Sequence, residues 1–157
     1  VRAVPNTPSL VAQGLTGLAW EDSTTLAQKK VVRKIFEPIS EIYELEEQKL
    51  DSFLALTSSG PAYIALMVEA MADGAVAAGL PRHLSTELAH KTLSGTASLL
   101  RDKSLHPAEL KDMVASPAGT TISALRHLEL VGLRSALIEA VVLAAQKSRQ
   151  LAEEVSS

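Results

Sequence analysis

The sequence predicts a mainly α-helical protein whose first third is the tail end of an α/β unit. Three observations carry that expectation. Residues 1–50 alternate short β-like runs with one amphipathic helical stretch, and residues 51–157 place their apolar side chains almost entirely at helical spacing. Apolar residues make up 46% of the 157, yet only 3% are aromatic, so Ala, Leu and Val carry the hydrophobic burden. Ala and Leu are strong helix formers, and small apolar side chains let helices approach closely.

In chain order, "VRAV" is a short β-like run closed by Pro5 and Pro8, with Asn6 and Thr7 between them. Proline withdraws a ladder donor, and this cluster is turn chemistry. "GLTGLAW" reads as a second short strand. In "EDSTTLAQKKVVRKIFEP", Ser23, Thr24 or Thr25 caps a helix that aligns Leu26, Val31, Val32, Ile35 and Phe36 on one face. Pro38 stops it. "EIYEL" then alternates charged and apolar residues as a strand does. Strand, helix, strand is the order of an α/β unit, but so few elements do not close one. Residues 1–50 therefore read as the last quarter of a larger sheet domain.

From Leu50 onward the spacing is helical. "DSFLALTSSGPAYIALMVEAMADGAVAAGL" carries Phe53, Leu54, Ile64, Met67, Val68, Met71 and Val76 at helical intervals, interrupted at Ser58-Ser59-Gly60-Pro61. Pro61 lacks a donor and collides with the preceding turn, so a kink or break is expected there. Gly79 fits a C-terminal cap and Pro81 opens the next helix, with Leu84, Leu88, Leu93, Leu99 and Leu100. "HPAELKDMVAS" is a short helix with Pro107 in its first turn. A further helix follows "SPAGTT", Gly132 breaks it, and a last helix runs from about Leu133 to Glu154.

That last helix is unusual. Leu137, Ile138, Val141, Val142, Leu143, Ala144 and Ala145 wrap most of its circumference. A helix apolar nearly all round is covered on more than one side. Two arrangements satisfy this: a homodimer with interleaved helices, or a monomeric bundle with this helix at its centre.

Charge and composition exclude several function classes. The 15 basic and 18 acidic residues balance to −3, so nucleic acid is not an expected partner. With no cysteine there is no disulfide scaffold, thiol catalysis or thiolate-bound zinc. The apolar runs look too short to span a bilayer and no signal peptide opens the chain, so a cytoplasmic location without a membrane partner is expected. The start at Val1 reads as a chain cut from something longer, or processed at its N-terminus.

Three stretches are candidates for binding. In "ASPAGTTISALRHLE", Ser116, Gly119, Thr120 and Thr121 cluster where a helix begins. A helix start leaves N–H groups without internal partners and bears the positive end of the dipole, which suits a carboxylate or phosphate. Ordinary Ser/Thr capping accounts for the same residues and is the commoner use of them. "VPNTP" follows a strand end, where open α/β sheets bind ligands, and is equally an ordinary turn. "SSGPAY" frees backbone groups at a helix break, and is equally a packing kink. His83, His90, His106 and His127 form no HxxxH or HExxH pair, so a metal is not expected. Lys29, Lys30, Arg33 and Lys34 read as a solvated helix face beside the acidic residues that follow. Glu69 and Asp73, one turn apart, read as polar-face residues.

Together, "VPNTP", "SSGPAYIALMVEAMADGAVAAGLPR", "HPAELKDMVASPAGTTISALRHLE" and "LRSALIEAV" resemble the pyrroline-5-carboxylate reductase family over essentially the whole chain. The resemblance implies reduction of the C=N bond of 1-pyrroline-5-carboxylate to L-proline by hydride from NADPH or NADH. It implies that residues 1–50 are the C-terminal remnant of a Rossmann-like dinucleotide-binding domain. Residues 51–157 are then a helical domain that binds substrate, forms a homodimer and assembles further into a decamer in many members. By the same resemblance, Ser116 and the N–H groups of Gly119, Thr120 and Thr121 hold the substrate carboxylate, the Thr121 hydroxyl meets the ring nitrogen, and Asn6, Thr7 and Pro8 lie near the nicotinamide. Ala118 stands where many members have a second glycine. No glycine-rich phosphate loop is present, so this chain alone is expected to be inactive. Two alternatives remain: a non-catalytic helical dimerisation module, and a related imine or keto-acid reductase.

Overall fold

The structure, a computed structural model, describes residues 1–156. It falls into two compact units, Val1–Tyr63 together with the chain from Leu137 onward, and Ile64–Ala136.

In the first unit, β1 (Arg2–Val4), β2 (Gly14–Ala19) and β3 (Ser40–Glu44) form a three-stranded sheet in that order. β1 runs antiparallel to β2, with Val4 opposite Gly17, and β2 runs parallel to β3, with Gly17 opposite Tyr43. The parallel pair is joined through α1 (Leu26–Phe36), the expected strand–helix–strand unit. Of the three candidate caps, Thr25 is the one used. Its Oγ1 accepts from Gln28 N–H (3.3 Å), and Gln28 Oε1 accepts from Thr25 N–H (2.9 Å), a reciprocal capping box.

Beneath the sheet, α2 (Leu50–Thr57) buries Leu50 completely against Val4 and Ala19, with Phe53 and Leu54 packed beside them. Removing a leucine side chain from water contributes about 2 kcal/mol. Gly17 makes the packing possible, because a Cβ there would stand 2.8 Å from the Phe53 ring. Ser9 Oγ and Trp20 Nε1 are buried without a hydrogen-bond partner in this unit, while other polar groups are matched. The buried hydroxyls of Thr16 and Ser40 lie 2.6 Å apart, and since Ser40 donates to the Phe36 carbonyl (3.1 Å), Thr16 is the donor of the pair. Asp51, also buried, accepts from Arg2 (3.2 Å) and from the Ser148 hydroxyl (2.7 Å). Arg2 also reaches Glu47, and that hydrogen bond, opposed by desolvation but reinforced by Asp51, holds the guanidinium proton more firmly than usual. β1, α2 and the last helix are thereby tied around one carboxylate.

The Ser58-Ser59 step divides α2 from α3 (Gly60–Ala77), as Pro61 requires. In the second unit, α3 packs on α4 (Arg82–Asp102) through Val68, Ala72 and Ala89, with Leu93 alongside. Gly79 turns the chain between them at φ +104°. α5 (Pro107–Val114) and α6 (Thr120–Leu130) follow, and Gly132, at φ +78°, leads into α7 (Leu133–Ser156).

Two expectations change. The last helix is expected to be covered on more than one side, and within one copy of the chain it is not. Ile138 and Leu143 on α7 are 57% and 59% exposed, and Val142 is exposed too. One copy of the chain leaves that apolar surface uncovered. The expectation that no run is apolar and long enough for a bilayer is also revised. By length and composition alone Glu47–Ala77, 31 residues, passes that test. It is divided at Ser58-Ser59 into two helices. Ala- and Leu-rich helices whose apolar sides lie open in a single copy have the same composition as lipid-facing ones, so hydropathy does not separate the two cases.

Candidate functional site

Among the described helices, α1 and α5 begin under a side-chain cap, and α2, α4 and α6 begin without one. α1 starts under Thr25 and its capping box. α5 starts under His106, whose Nδ1 accepts from Ala108 N–H (3.2 Å) while Glu109 accepts from His106 N–H (2.9 Å). α6 starts at Gly119 with no side-chain cap, although Ser116, Thr120 and Thr121 are all at hand. Its first-turn N–H groups at Thr120, Thr121 and Ile122 have no side-chain acceptor, whereas α1 and α5 each give one such group a partner.

The lead-in explains why. Gly119 N–H donates to the Ser116 carbonyl (3.1 Å), closing a turn and folding Ser116 back over the helix start. A Cβ on Gly119 would stand 2.3 Å from the Ser116 hydroxyl. Its own φ of −78° is open to any residue, so glycine is needed here for space and not for backbone freedom. The residue that does need freedom is Ala118, held at φ +56°. In the left-handed region an L residue costs about 1–2 kcal/mol, so a glycine would fit this backbone better than the alanine present. Ser116 and Thr120 are exposed, and Gly119 and Thr121 half-buried. Ser123 donates back to the Gly119 carbonyl (3.0 Å), leaving the open side of the turn to Ser116 and the two threonines.

The expected part of Gly119 therefore changes in kind. Its N–H is engaged within the turn, so the donors left open at this helix start are the N–H groups of Thr120, Thr121 and Ile122 and the hydroxyls. An array of N–H and O–H groups at the positive end of a helix, with no carboxylate contacting it, is suited to an anion.

Asn6, Thr7 and Pro8 follow β1. Thr7–Val11 is one 3-10 turn with Pro8 near its start, closed by Ala12 at φ +55°. Thr7 is exposed. The Asn6 carboxamide is engaged at both ends: Oδ1 accepts from Leu15 N–H (2.8 Å) and Nδ2 donates to the Thr57 carbonyl (3.0 Å). Ser58 Oγ donates to the Pro5 carbonyl (3.2 Å), so "VPNTP" and "SSGPAY", two separate candidates in the sequence, meet at one place. Because β1 is antiparallel to β2 and β3, this turn lies at the amino ends of the parallel pair. The rule about carboxyl ends of parallel strands consequently draws no support from these three strands.

Several of the remaining candidates make ordinary structural contacts. Asp73 pairs with Arg82 and not with Glu69. Arg33 pairs with Glu37 (3.2 Å) and Glu44 (2.8 Å), and Lys29 stands over the Trp20 ring at 5.2 Å. Among the described residues no group of three His, Asp or Glu is placed to hold a metal ion.

Comparison with known proteins gives the chain its relatives. It is 44% identical over 154 residues to the pyrroline-5-carboxylate reductase of Synechocystis sp., covering 98% of this chain and 58% of that protein. The crystal structure of Plasmodium falciparum pyrroline carboxylate reductase with NADP bound superposes with a TM-score of 0.91 at 32% identity, covering 94% of this chain and 61% of that one. The 1-pyrroline-5-carboxylate reductase of Streptococcus pyogenes gives 0.92 at 31% identity, over 95% of this chain and 57% of that one. The chain thus spans somewhat more than half the length of these relatives. Residues 47–151 match the family model for pyrroline-5-carboxylate reductase dimerisation, and this chain belongs to that family.

Proposed function

We propose that this chain is the substrate-binding and dimerising portion of a reductase that converts 1-pyrroline-5-carboxylate to L-proline, the last step of proline synthesis. The observation that carries the reading is the uncapped start of α6, whose open donors sit in a segment matched to the reductase family. Ser116 and the N–H groups of Thr120 and Thr121 bind the substrate carboxylate. The α6 dipole favours the anion, and donors fixed by the backbone cost no reorganisation during the reaction.

With the carboxylate held, the Thr121 hydroxyl meets the ring nitrogen and orients the C=N bond. It holds the proton that the nitrogen gains as the carbon is reduced. NADPH or NADH supplies the hydride when bound. The residues present fit only one edge of such a cofactor. Thr7 and Pro8, on the turn that Asn6 braces, lie near the nicotinamide, and the chain has no glycine-rich loop for the phosphates. Activity belongs to the intact enzyme and not to this chain alone. The Plasmodium falciparum relative solved with NADP supports the cofactor class.

Residues 1–50 serve the cofactor side of that enzyme and residues 51–157 the substrate side and the dimer. Two copies associate through the helical region, covering surface such as Ile138 and Leu143, and dimers assemble further into a decamer in the cytoplasm. Sedimentation of the intact protein reads the assembly.

The deciding experiment is NADPH oxidation with 1-pyrroline-5-carboxylate by the intact protein and its Thr121→Ala variant. We expect turnover to fall by about a hundredfold, the usual scale for one removed donor at a reacting centre, with folding and dimerisation retained. Unchanged turnover removes Thr121 from the mechanism. An inactive wild type brings forward a non-catalytic dimerisation module.

A further inference from the structure

We infer that Asn6 is a positioning residue, which sets the cofactor-side turn against β2 and the end of α2 without itself contacting the cofactor. The inference rests on the proposed placement of the nicotinamide beside Thr7 and Pro8. Asn6 sits at the junction of three segments far apart in sequence. Its Oδ1 receives the Leu15 N–H at 2.8 Å and its Nδ2 reaches the Thr57 carbonyl at 3.0 Å. Both ends of the carboxamide face into the protein and accept or donate to backbone, so no change in a neighbouring side chain substitutes for them.

The turn that follows has no anchor of equal strength on its own. Thr7–Val11 is a 3-10 helix with no side-chain cap and no buried residue, and Leu10 is 89% exposed. A second tie stands one residue before Asn6, where the Pro5 carbonyl accepts from Ser58 Oγ at 3.2 Å. Asn6 and Ser58 therefore hold the same short backbone to the same helix end. Two groups that restrain one segment are energetically coupled, whereas two groups that separately touch a ligand add.

The test compares Asn6→Ala, Ser58→Ala and the double variant in the intact protein. It reads KM for NADPH, kcat, the equilibrium Kd for NADPH, and hydrogen exchange at Leu15 N–H. A loosened turn makes the cofactor order it on binding. We expect Asn6→Ala to raise KM and Kd by about tenfold with kcat changed by less than about threefold. Ser58→Ala raises them by about threefold, and the double variant does no more than Asn6→Ala alone. Leu15 exchange quickens in Asn6→Ala. Asn6→Asp keeps the acceptor for Leu15 N–H but sets a carboxylate oxygen against the Thr57 carbonyl, so it weakens NADPH binding at least as much as Asn6→Ala, and Ser58→Ala alone decides if neither Asn6 variant folds.

Multiplicative effects of the two substitutions overturn the inference in favour of direct contact, as does an unchanged affinity in Ser58→Ala. An Asn6→Ala protein with normal NADPH affinity overturns it outright. If the wild type binds NADPH but does not reduce the imine, the proposed reaction falls while the Kd series still decides the role of Asn6. If the wild type does not bind NADPH at all, both fall.

Discussion

The starts of α1 and α6 pose the same physical problem and answer it in opposite ways. Each presents N–H groups that no carbonyl inside the helix can take. At α1, Thr25 and Gln28 supply side-chain oxygen to each other's N–H groups, leaving those of Leu26 and Ala27 to solvent. At α6, Thr120 and Thr121 lie inside the helix, the N-cap position is a glycine with no side chain to offer, and Ser116 is folded back over the opening. Hydroxyls are plentiful at both places. What differs is their position, since Ser116 stands three residues before the α6 N-cap and Thr120 and Thr121 one and two after it. An oxygen at the N-cap reaches a first-turn N–H, and at α6 no side-chain oxygen does so.

Closing the space at α6 is expected to give the largest effect. In Gly119→Ala the new methyl drives the Ser116 hydroxyl from its place and crowds the Ser116 carbonyl, which would lie at 3.1 Å. The hydroxyl is free to rotate away, so we expect a stability loss of about 1 kcal/mol, at the low end for overpacking. The substrate side has no such escape, and KM for 1-pyrroline-5-carboxylate should rise by more than about tenfold. Adding Ser116→Ala should recover stability without recovering KM. Recovery of both would mean that Ser116 contributes nothing beyond obstruction.

The complementary break is Thr25→Ala at α1. It removes an N-cap oxygen and half of a capping box, and should cost about 1 kcal/mol in urea denaturation. Neither KM nor kcat should change. A rise in KM for substrate would dissolve the contrast between the two helix starts.

Much of this was legible in the sequence, for reasons that differ by residue. The strands at "VRAV", "GLTGLAW" and "EIYEL" and the break at Pro61 follow from local chemistry, proline and alternation, which act within a few residues. The choice of Thr25 among three possible caps did not follow, because capping depends on one extended φ/ψ pair and on Gln28 standing three residues later. The uncapped state of α6 was equally hidden, since "SPAGTT" spells a cap and a ligand cradle with the same letters. Asn6 was legible as a candidate, but its partners were not. Nothing local links position 6 to Thr57, and only the pairing of β1 with β2 over α2 brings them together. The uncovered face of α7 was half legible: its composition demands cover on several sides, yet composition is silent about whether that cover is the same chain.

The smallest effect sharpens the contrast from the other direction. Ala118 holds φ +56° immediately before the α6 N-cap, and it is exposed, so its methyl is held there by the turn and not by packing. Glycine adopts that conformation without the clash between Cβ and backbone, but loses more freedom on folding. The two terms oppose each other, with relief of about 1–2 kcal/mol against an entropic cost of about 0.4–1 kcal/mol. Ala118→Gly should therefore stabilise the protein slightly, by about 0.5 kcal/mol, read as a shift in the urea midpoint at constant slope. Because the turn is already closed by the Gly119 N–H and the Ser116 carbonyl, KM for substrate should stay within about twofold of wild type. A destabilised Ala118→Gly would mean that the backbone of this turn is not held where Gly119 and Ser116 place it. The open helix start would then depend on the alanine itself, and α6 would differ from α1 through a rigid lead-in as well as through the missing cap.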